Sequence, residues 1–241
     1  MLPDFIRPLP IHRQLGSFAR TDYLTLIQDE QHGITLVDTG LPGSEQQILD
    51  ALKDLNIRPK DINNIVITHG DMDHAGSARV LQEKTGAQLW SSAVEALYIS
   101  GEKAFYKPLT EDFLIQLPPD VAQQLREGIP PVKIENELIA DACLPFARNA
   151  QVIATPGHTP GHVSLFFPEA KTLIGGDAVM ADGEQLIFPR FSLDNRMALE
   201  SIRHLASLAP WVLIAQHGGV LTHDVPEKLQ RLAAAGIPLS G

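Results

Sequence analysis

A single cysteine, Cys143, stands in the 241-residue chain. No cysteine pair is therefore present to form a disulfide, a redox dithiol or a zinc-thiolate site, and we expect Cys143 to be a small buried apolar residue. Long apolar runs are missing as well, since no stretch approaches the roughly 18 residues of a membrane-spanning helix. The charges and prolines at the start of the chain are not typical of a signal peptide. These absences predict a cytoplasmic protein with no membrane partner.

Positive charge is scarce in this chain. The sequence has 19 Lys and Arg against 29 Asp and Glu, a formal net charge of −10, and no basic stripe. Binding to a nucleic acid backbone requires a concentrated positive field, so we expect no nucleic acid partner and a small-molecule substrate instead. The 44% hydrophobic composition can bury a substantial core. We expect a single domain covering residues 1–241.

Short runs rich in Ile, Val, Leu and Thr alternate with amphipathic helical patterns along the chain, which predicts an α/β fold. The predicted strands are residues 23–27, 34–38, 65–68, 88–91, 152–155, 163–167, 172–175 and 212–215. We expect one helix to begin at Ser44, which forms a capping box with Gln47, and others to follow Gly76, Asp194 and Pro226. Residues 98–131 lose the strand pattern and are crowded with prolines, which predicts an inserted helical flap.

The segment THGDMDHAG, residues 68–76, concentrates side chains that can bind metal ions. His69, Asp71, Asp73 and His74 fall within six positions, directly after the apolar run of residues 65–67. Imidazole nitrogen and carboxylate oxygen are both zinc ligands. This segment is therefore the first candidate for a metal site.

Three later segments also place a histidine or aspartate just after a predicted strand. They are TPGHTPGH with His158 and His162, IGGD with Asp177, and IAQHGG with His217. Each alone is typical of an ordinary turn. Strand ends in a layered α/β protein meet at one edge, and the neighbouring glycines permit tight turns, so the four segments together predict one site with donors for about two ions.

The order of these motifs resembles the metallo-β-lactamase superfamily, whose first motif runs His-x-His-x-Asp-His. The resemblance spans residues 23–219, and Val37-Asp38-Thr39-Gly40 is similar to that superfamily's early Val-Asp-Thr-Gly turn. It implies a four-layer αββα sandwich with a helical insertion and the metal site at one edge. Function still has to be argued from the site.

The resemblance also implies a ligand set for two divalent metal ions, with zinc the first expectation. It assigns His69, residue 71 and His158 to a first metal position, and Asp73, His74 and His217 to a second. Asp177 is expected to bridge the two ions.

Residue 71 departs from the family pattern, because Asp71 replaces the second histidine. A carboxylate binds zinc at about 2.0–2.2 Å, but its charge shifts the preference toward harder ions such as iron or manganese. The alternative is that Asp71 is a solvated loop residue and that a single metal ion lies at the second position.

Two further groups of residues surround this predicted centre. We expect His162 to be a buried histidine that supports the ligand loop rather than a ligand. We expect aromatic and apolar side chains of the flap to form a lid, and we expect Lys103 or Lys107 to pair with a substrate carboxylate. The lid candidates are Tyr98, Phe105, Tyr106, Phe113 and Leu114; the alternative is that they only pack the insertion.

These residues together predict a metal-dependent hydrolase without an organic cofactor. A hydroxide bridging two metal ions would attack a small ester, lactone, thioester or lactam, and Asp73 is the expected catalytic residue that orients the water and carries its proton. One alternative is an iron-dependent oxidoreductase or dioxygenase of the same fold. Asp71 favours it, since the superfamily's similar flavin-linked di-iron enzymes carry a glutamate there, but this chain has no flavin-binding half. A non-catalytic metal-binding protein is the other alternative.

Overall fold

Two six-stranded sheets form the centre of the protein in the computed structural model, which describes residues 1–15, 18–107, 111–115 and 119–238. The first sheet contains, in chain order and in spatial order, β1 (Ile6–Leu15), β2 (Phe18–Asp29), β3 (Gly33–Val37), β4 (Ile62–Val66), β5 (Gln88–Ser91) and β6 (Asn136–Glu137). The strands β1 to β3 pair antiparallel, whereas β3 to β6 pair parallel.

The second sheet is built from the later part of the chain. It contains β7 (Cys143–Leu144), β8 (Ala150–Ala154), β9 (Val163–Phe167), β10 (Thr172–Gly176), β13 (Val212–Ala215) and β14 (Gly219–Leu221), in the spatial order β14-β13-β10-β9-β8-β7. A separate hairpin of β11 (Met180–Asp182) and β12 (Gln185–Ile187) lies between β10 and β13 in sequence. Only β10 and β13 pair parallel in this sheet.

Eight α-helices accompany the sheets within the described residues. They are α1 (Glu45–Asp54), α2 (Met72–Ala75), α3 (Ala78–Thr85), α4 (Ala93–Ile99), α5 (Glu111–Leu114), α6 (Pro119–Glu127), α7 (Asn195–Ser207) and α8 (Val225–Ala235). Of these, α5 and α6 lie in the predicted flap. In the described part of the chain, no helix combines the length and the apolar character needed to cross a membrane.

Three apolar clusters separate the layers of the fold. In one cluster, Ile48 of α1 and Leu81 of α3 pack with buried residues of the first sheet. A second cluster joins side chains of both sheets, among them Val66 and Val152. In a third, α7 and α8 pack on the outer face of the second sheet through residues such as Leu205. The order helix, sheet, sheet, helix confirms the predicted αββα sandwich.

Several local expectations were wrong or incomplete. Ser44 stands at the N-terminus of α1, but its side chain makes no capping hydrogen bond, so the predicted capping box does not form. Cys143 is exposed on the short strand β7 rather than buried. The pattern also missed β1, in which charged and proline residues interrupt the apolar alternation.

The cap of α7 provides a test of this local structure. The side chain of Asp194 accepts hydrogen bonds from the backbone N–H groups of Arg196 and Met197. We expect Asp194→Ala to lower the free energy of unfolding by about 1 kcal/mol, because two N-terminal N–H groups lose their acceptor. Urea denaturation measures this change. Ser44→Ala is the matched control and should leave the midpoint unchanged, and equal effects of both substitutions would contradict the assignment.

Candidate metal centre

The ends of four strands bring all seven predicted ligands to one edge of the sandwich. His69 and Asp71 follow β4 of the first sheet, and Asp73 and His74 lie in the short helix α2. The three later ligands follow β8, β10 and β13 of the second sheet: they are His158, Asp177 and His217. Loops that are distant in sequence therefore meet because both sheets end at the same place.

Asp177 lies at the middle of this group. Its Oδ2 atom is 3.2 Å from Nε2 of His217 and 3.5 Å from Nε2 of His158, and its Oδ1 atom is 3.3 Å from Nε2 of His74. The side chain therefore touches ligands of both predicted metal positions. The role of Asp177 as a bridging ligand stays a prediction.

The other ligands divide into the two predicted sets. The ligand atoms of His69, Asp71 and His158 lie within 4.8 Å of one another, and we call this set the first position. The ligand atoms of Asp73, His74 and His217 form a second set of the same size, the second position. The structure thus brings together every residue of the predicted set, while their binding of metal ions stays a prediction.

Asp38 fixes the orientation of the histidines on the first sheet. Its Oδ2 atom accepts a hydrogen bond of 2.9 Å from Nδ1 of His74. Thr68 donates its hydroxyl to the same carboxylate and is 3.0 Å from Nδ1 of His69. With each Nδ1 atom occupied in this way, the Nε2 atoms of both rings are left to face the site. Asp38 itself has a φ of 63°, so the Val-Asp-Thr-Gly turn holds a conformation that aspartate tolerates better than most residues.

Asp22 fixes His217 in the same way from the first sheet. Its Oδ1 atom accepts a hydrogen bond of 3.0 Å from Nδ1 of His217, and Arg13 forms an ion pair with its Oδ2 atom. Arg13 also donates to Oδ2 of Asp73 at 3.2 Å. Burial raises the pKa of Asp22 to about 6, although Arg13 opposes that shift. One carboxylate and one guanidinium therefore orient two ligands of the second position.

His162 supports the loop of Asp177 and does not join the ligands. Its Nε2 atom accepts a hydrogen bond of 2.9 Å from the backbone N–H of Asp177, and its Nδ1 atom lies 2.8 Å from the hydroxyl of Thr155. Burial holds the pKa of His162 well below its usual value, so the ring stays neutral and its Nε2 lone pair remains available. Gly176 has a φ of 54° and permits this contact, because a Cβ atom there would lie 2.7 Å from Nε2 of His162.

Glu95, which is fully buried in α4, ties three loops of the site together. Its Oε2 atom accepts hydrogen bonds from the backbone N–H of Gly70 and the hydroxyl of Tyr106. Its Oε1 atom accepts from the hydroxyl of Thr159 and the backbone N–H of Gly161. Four hydrogen-bond donors satisfy this buried carboxylate. Glu95 therefore fixes the loops that carry His69 and His158 relative to the flap.

The buried ligand atoms fit a bound cation. Nε2 of His69 and Oδ1 of Asp177 are buried and make no hydrogen bond within the described part of the chain, and His69, His74 and Asp177 offer ligand atoms within 4.8 Å of one another. A buried polar atom without a partner lowers the stability of the folded protein. Burial lowers the pKa of His74, but the carboxylates of Asp177 and Asp38 outweigh it and hold that pKa well above its usual value. A divalent cation would satisfy these atoms and displace the proton from His74.

Asp71 is not the solvated loop residue of the alternative interpretation, since its side chain is only 14% exposed. It forms an ion pair with Lys107, and its Oδ1 atom lies 3.2 Å from the hydroxyl of Tyr106. Burial raises the pKa of Asp71, but His69, His158 and Lys107 outweigh burial and hold it well below its usual range. Asp71 is therefore a charged and partnered group of the site.

A cavity of about 890 Å³ opens over these ligands. Its lining includes the metal-binding candidates Asp71, Asp73, His158, Asp177 and His217. Apolar side chains cover another part of its wall, and two arginines contribute positive charge; these residues are Phe105, Met180, Ile187, Phe191, Leu193, Arg20 and Arg190. The cavity is thus large enough for a small organic molecule with an apolar portion.

The residues of the flap differ in their relation to the site. Phe105 and Lys107 line the cavity, whereas Tyr106 binds Glu95 and packs edge-on against Tyr98. Leu114 is buried. Lys103 is exposed and lies 5.9 Å from the centre of the Tyr98 ring. Residues 108–110 and 116–118 and the side chain of Phe113 lie outside the described part of the chain.

Sequence reasoning did not find Asp22, Arg13 or Glu95. A charged residue within an apolar strand, as Asp22 is in β2, is the one signal that sequence offered. Glu95 lies three residues after Ser92, the residue that caps α4, and so it resembles an ordinary capping glutamate. Its actual partners come from other loops.

Comparison with known proteins agrees with this geometry. The profile of the Metallo-beta-lactamase superfamily matches residues 23–217. The chain is 32% identical over 231 residues to a Bacillus subtilis protein named "Probable metallo-hydrolase YflN", covering 88% of this chain and 87% of that one. It is 26% identical over 212 residues to "Hydroxyacylglutathione hydrolase GloC" of Haemophilus influenzae, covering 82% and 86% respectively.

A solved structure shows the same fold. A metallo-beta-lactamase family protein of Thermus thermophilus superposes with a TM-score of 0.77 at 24% identity, over 98% of this chain and 80% of that chain. The family profile and the Bacillus relative each span most of the chain. The protein therefore belongs to the metallo-β-lactamase superfamily and is a metallo-hydrolase of that superfamily.

Proposed function

We propose that this protein hydrolyses a small carboxylic acid derivative, namely an ester, lactone, thioester or lactam, in the cavity over the metal centre. The convergence of seven histidine and aspartate side chains on one edge of the sandwich, five of them in the lining of one cavity, carries this proposal. A bound divalent ion, Zn²⁺ in the first instance, supplies the chemistry by lowering the pKa of a water molecule toward neutrality. No separate strong base is then needed.

Asp73 is the residue that we assign to proton transfer. Its carboxylate is 22% exposed, so it faces the cavity more than Asp177 does, and Arg13 holds its Oδ2 atom. Nε2 of His217 lies 3.2 Å from the same oxygen. These contacts support a carboxylate that orients the attacking water, accepts its proton and passes it to the leaving group.

The remaining lining residues favour a substrate with an apolar acyl group. Phe105 from the flap shares the cavity lining with Met180 and Ile187 of the β11–β12 hairpin, while Arg190 adds a cation. Among the four substrate classes, a thioester receives support from the Haemophilus relative, since hydroxyacylglutathione is a thioester. The acidic composition supports a small molecule rather than nucleic acid as the partner.

The iron oxidoreductase alternative loses its main support in this structure. It rested on the carboxylate of Asp71 as a hard ligand for iron, but that carboxylate forms an ion pair with Lys107. This contact supports the hydrolase proposal over the iron oxidoreductase alternative.

Removal of a central carboxylate tests the mechanism. We expect Asp73→Ala and Asp177→Ala to lower kcat/KM by at least about 10²–10⁴-fold, because the first loses the proton carrier and the second loses the carboxylate that contacts His74, His158 and His217. Kinetics on a panel of aryl esters, lactones, thioesters and β-lactams, with protein of known metal content, measures the effect. Asp50→Ala, which removes an exposed carboxylate of α1, is the control. Unchanged rates in folded Asp73→Ala or Asp177→Ala protein would overturn the mechanism.

Substitution of Asp22 tests the support of His217. We expect Asp22→Asn to weaken divalent metal binding by about 10–100-fold, because His217 loses the charged acceptor that orients its ring. Calorimetric titration of metal-free protein with Zn²⁺ measures the affinity. Asp29→Asn is a matched control, since Asp29 forms a 3.0 Å pair with His32 at the surface, far from any ligand. Equal affinities for the two variants would contradict this role of Asp22.

The apolar wall gives a third prediction. Phe105→Ala should raise KM for substrates with long acyl chains more than for acetyl substrates, because only the longer chains reach that wall. A comparison of acyl-chain length series for both proteins measures it. A uniform change across the series would show that Phe105 does not contact the acyl group.

A further inference from the structure

The first position already contains a positively charged group. Nζ of Lys107 forms an ion pair with Oδ2 of Asp71 and lies 2.9 Å from Nε2 of His158. An ammonium group has only hydrogen-bond donors, so His158 is the acceptor in that contact. Lys107 therefore contacts two of the three ligand atoms that a metal ion would need at this position, those of Asp71 and His158 but not that of His69.

The neighbouring contacts hold Lys107 in place. Tyr106 precedes it and places its hydroxyl 2.9 Å from Oε2 of Glu95 and 3.2 Å from Oδ1 of Asp71. The side chain of Lys107 is only 16% exposed, so its charge is largely removed from solvent. Tyr106 and Lys107, which are adjacent in the flap, therefore both contact Asp71.

Charge favours one cation at this position rather than two. Asp71 adds one negative charge where the family pattern has a neutral histidine, and the ammonium of Lys107 balances that charge. A divalent ion bound to the same two ligands would lie beside the ammonium and be repelled by it. An ion pair therefore explains both the aspartate at position 71, where the family pattern has a histidine, and the nearby Lys107.

We infer that Lys107 takes the place of the first metal ion, so that the protein binds one divalent ion, at the second position with Asp177. This inference rests on the proposed function and specifies its metal stoichiometry. Because Lys107 lines the cavity, its ammonium group is available to polarise the scissile carbonyl of a substrate. The nucleophile then depends on the ligands Asp73, His74, His217 and Asp177.

Metal content tests this inference without reference to activity. Metal-free protein is titrated with Zn²⁺, desalted and analysed by inductively coupled plasma mass spectrometry. We expect the wild type to bind one ion per chain. The same result is expected for two controls. Lys107→Arg keeps the cation, and Lys103→Met removes an exposed lysine of the same flap. We expect two ions per chain for Lys107→Met or for the double variant Asp71→His with Lys107→Met, because the first position then lacks its internal cation.

Manganese spectroscopy gives a second readout on the same proteins. One isolated Mn²⁺ ion per chain gives an uncoupled electron paramagnetic resonance spectrum in the wild type, whereas two neighbouring ions in the variants give a coupled one. Two ions in the wild type, or a single ion in both Lys107→Met and the double variant, would overturn the inference while leaving a metal-dependent hydrolase intact. No bound ion in the wild type would overturn the proposed function as well.

Discussion

Repulsion among carboxylates is the constraint on which the rest of this structure depends. Asp71, Asp73 and Asp177 lie with their histidine partners at one edge of the sandwich, and Nε2 of His217 contacts both Asp73 and Asp177. Carboxylates that are brought together away from bulk water repel one another. Such a group persists in a partly buried site only when cations stand among its members. The guanidinium of Arg13 and the ammonium of Lys107 supply two of these charges from the protein itself.

The histidines of the site are ordered by a separate set of carboxylates that face away from the cavity. Asp38 and Asp22 each bind a histidine through Nδ1, which leaves Nε2 for the common centre. Both are buried, so the orientation of the rings does not depend on solvent. The ligand geometry is therefore largely fixed by the protein, which reduces the reorganisation that accompanies metal binding and reaction.

The flap connects the apolar wall of the cavity to the metal-binding candidates. Three consecutive residues, Phe105, Tyr106 and Lys107, contact the cavity, the buried Glu95 and Asp71 respectively. A displacement of this segment would thus change the apolar wall and the charge at the first position together. A flap of different sequence would alter both properties of the site, which is a physical route by which one fold supports different substrates.

The sequence by itself determined the fold and which histidine and aspartate residues meet at one edge of it. Alternating apolar runs located eight strands of the two sheets, and the motifs at their ends identified all seven residues that meet at the edge, because these patterns reflect local backbone geometry. It also indicated that Asp71 was unusual.

Only the tertiary structure decided which charges stand beside those ligands. Lys107 lies 36 residues from Asp71 in sequence, and Asp22 lies 195 residues from His217. Contacts over such separations leave no periodic signal, because they are fixed by how the flap and the strands pack rather than by neighbouring residues. The character of Asp71, a paired group and not a solvated one, was for that reason visible only in the folded protein.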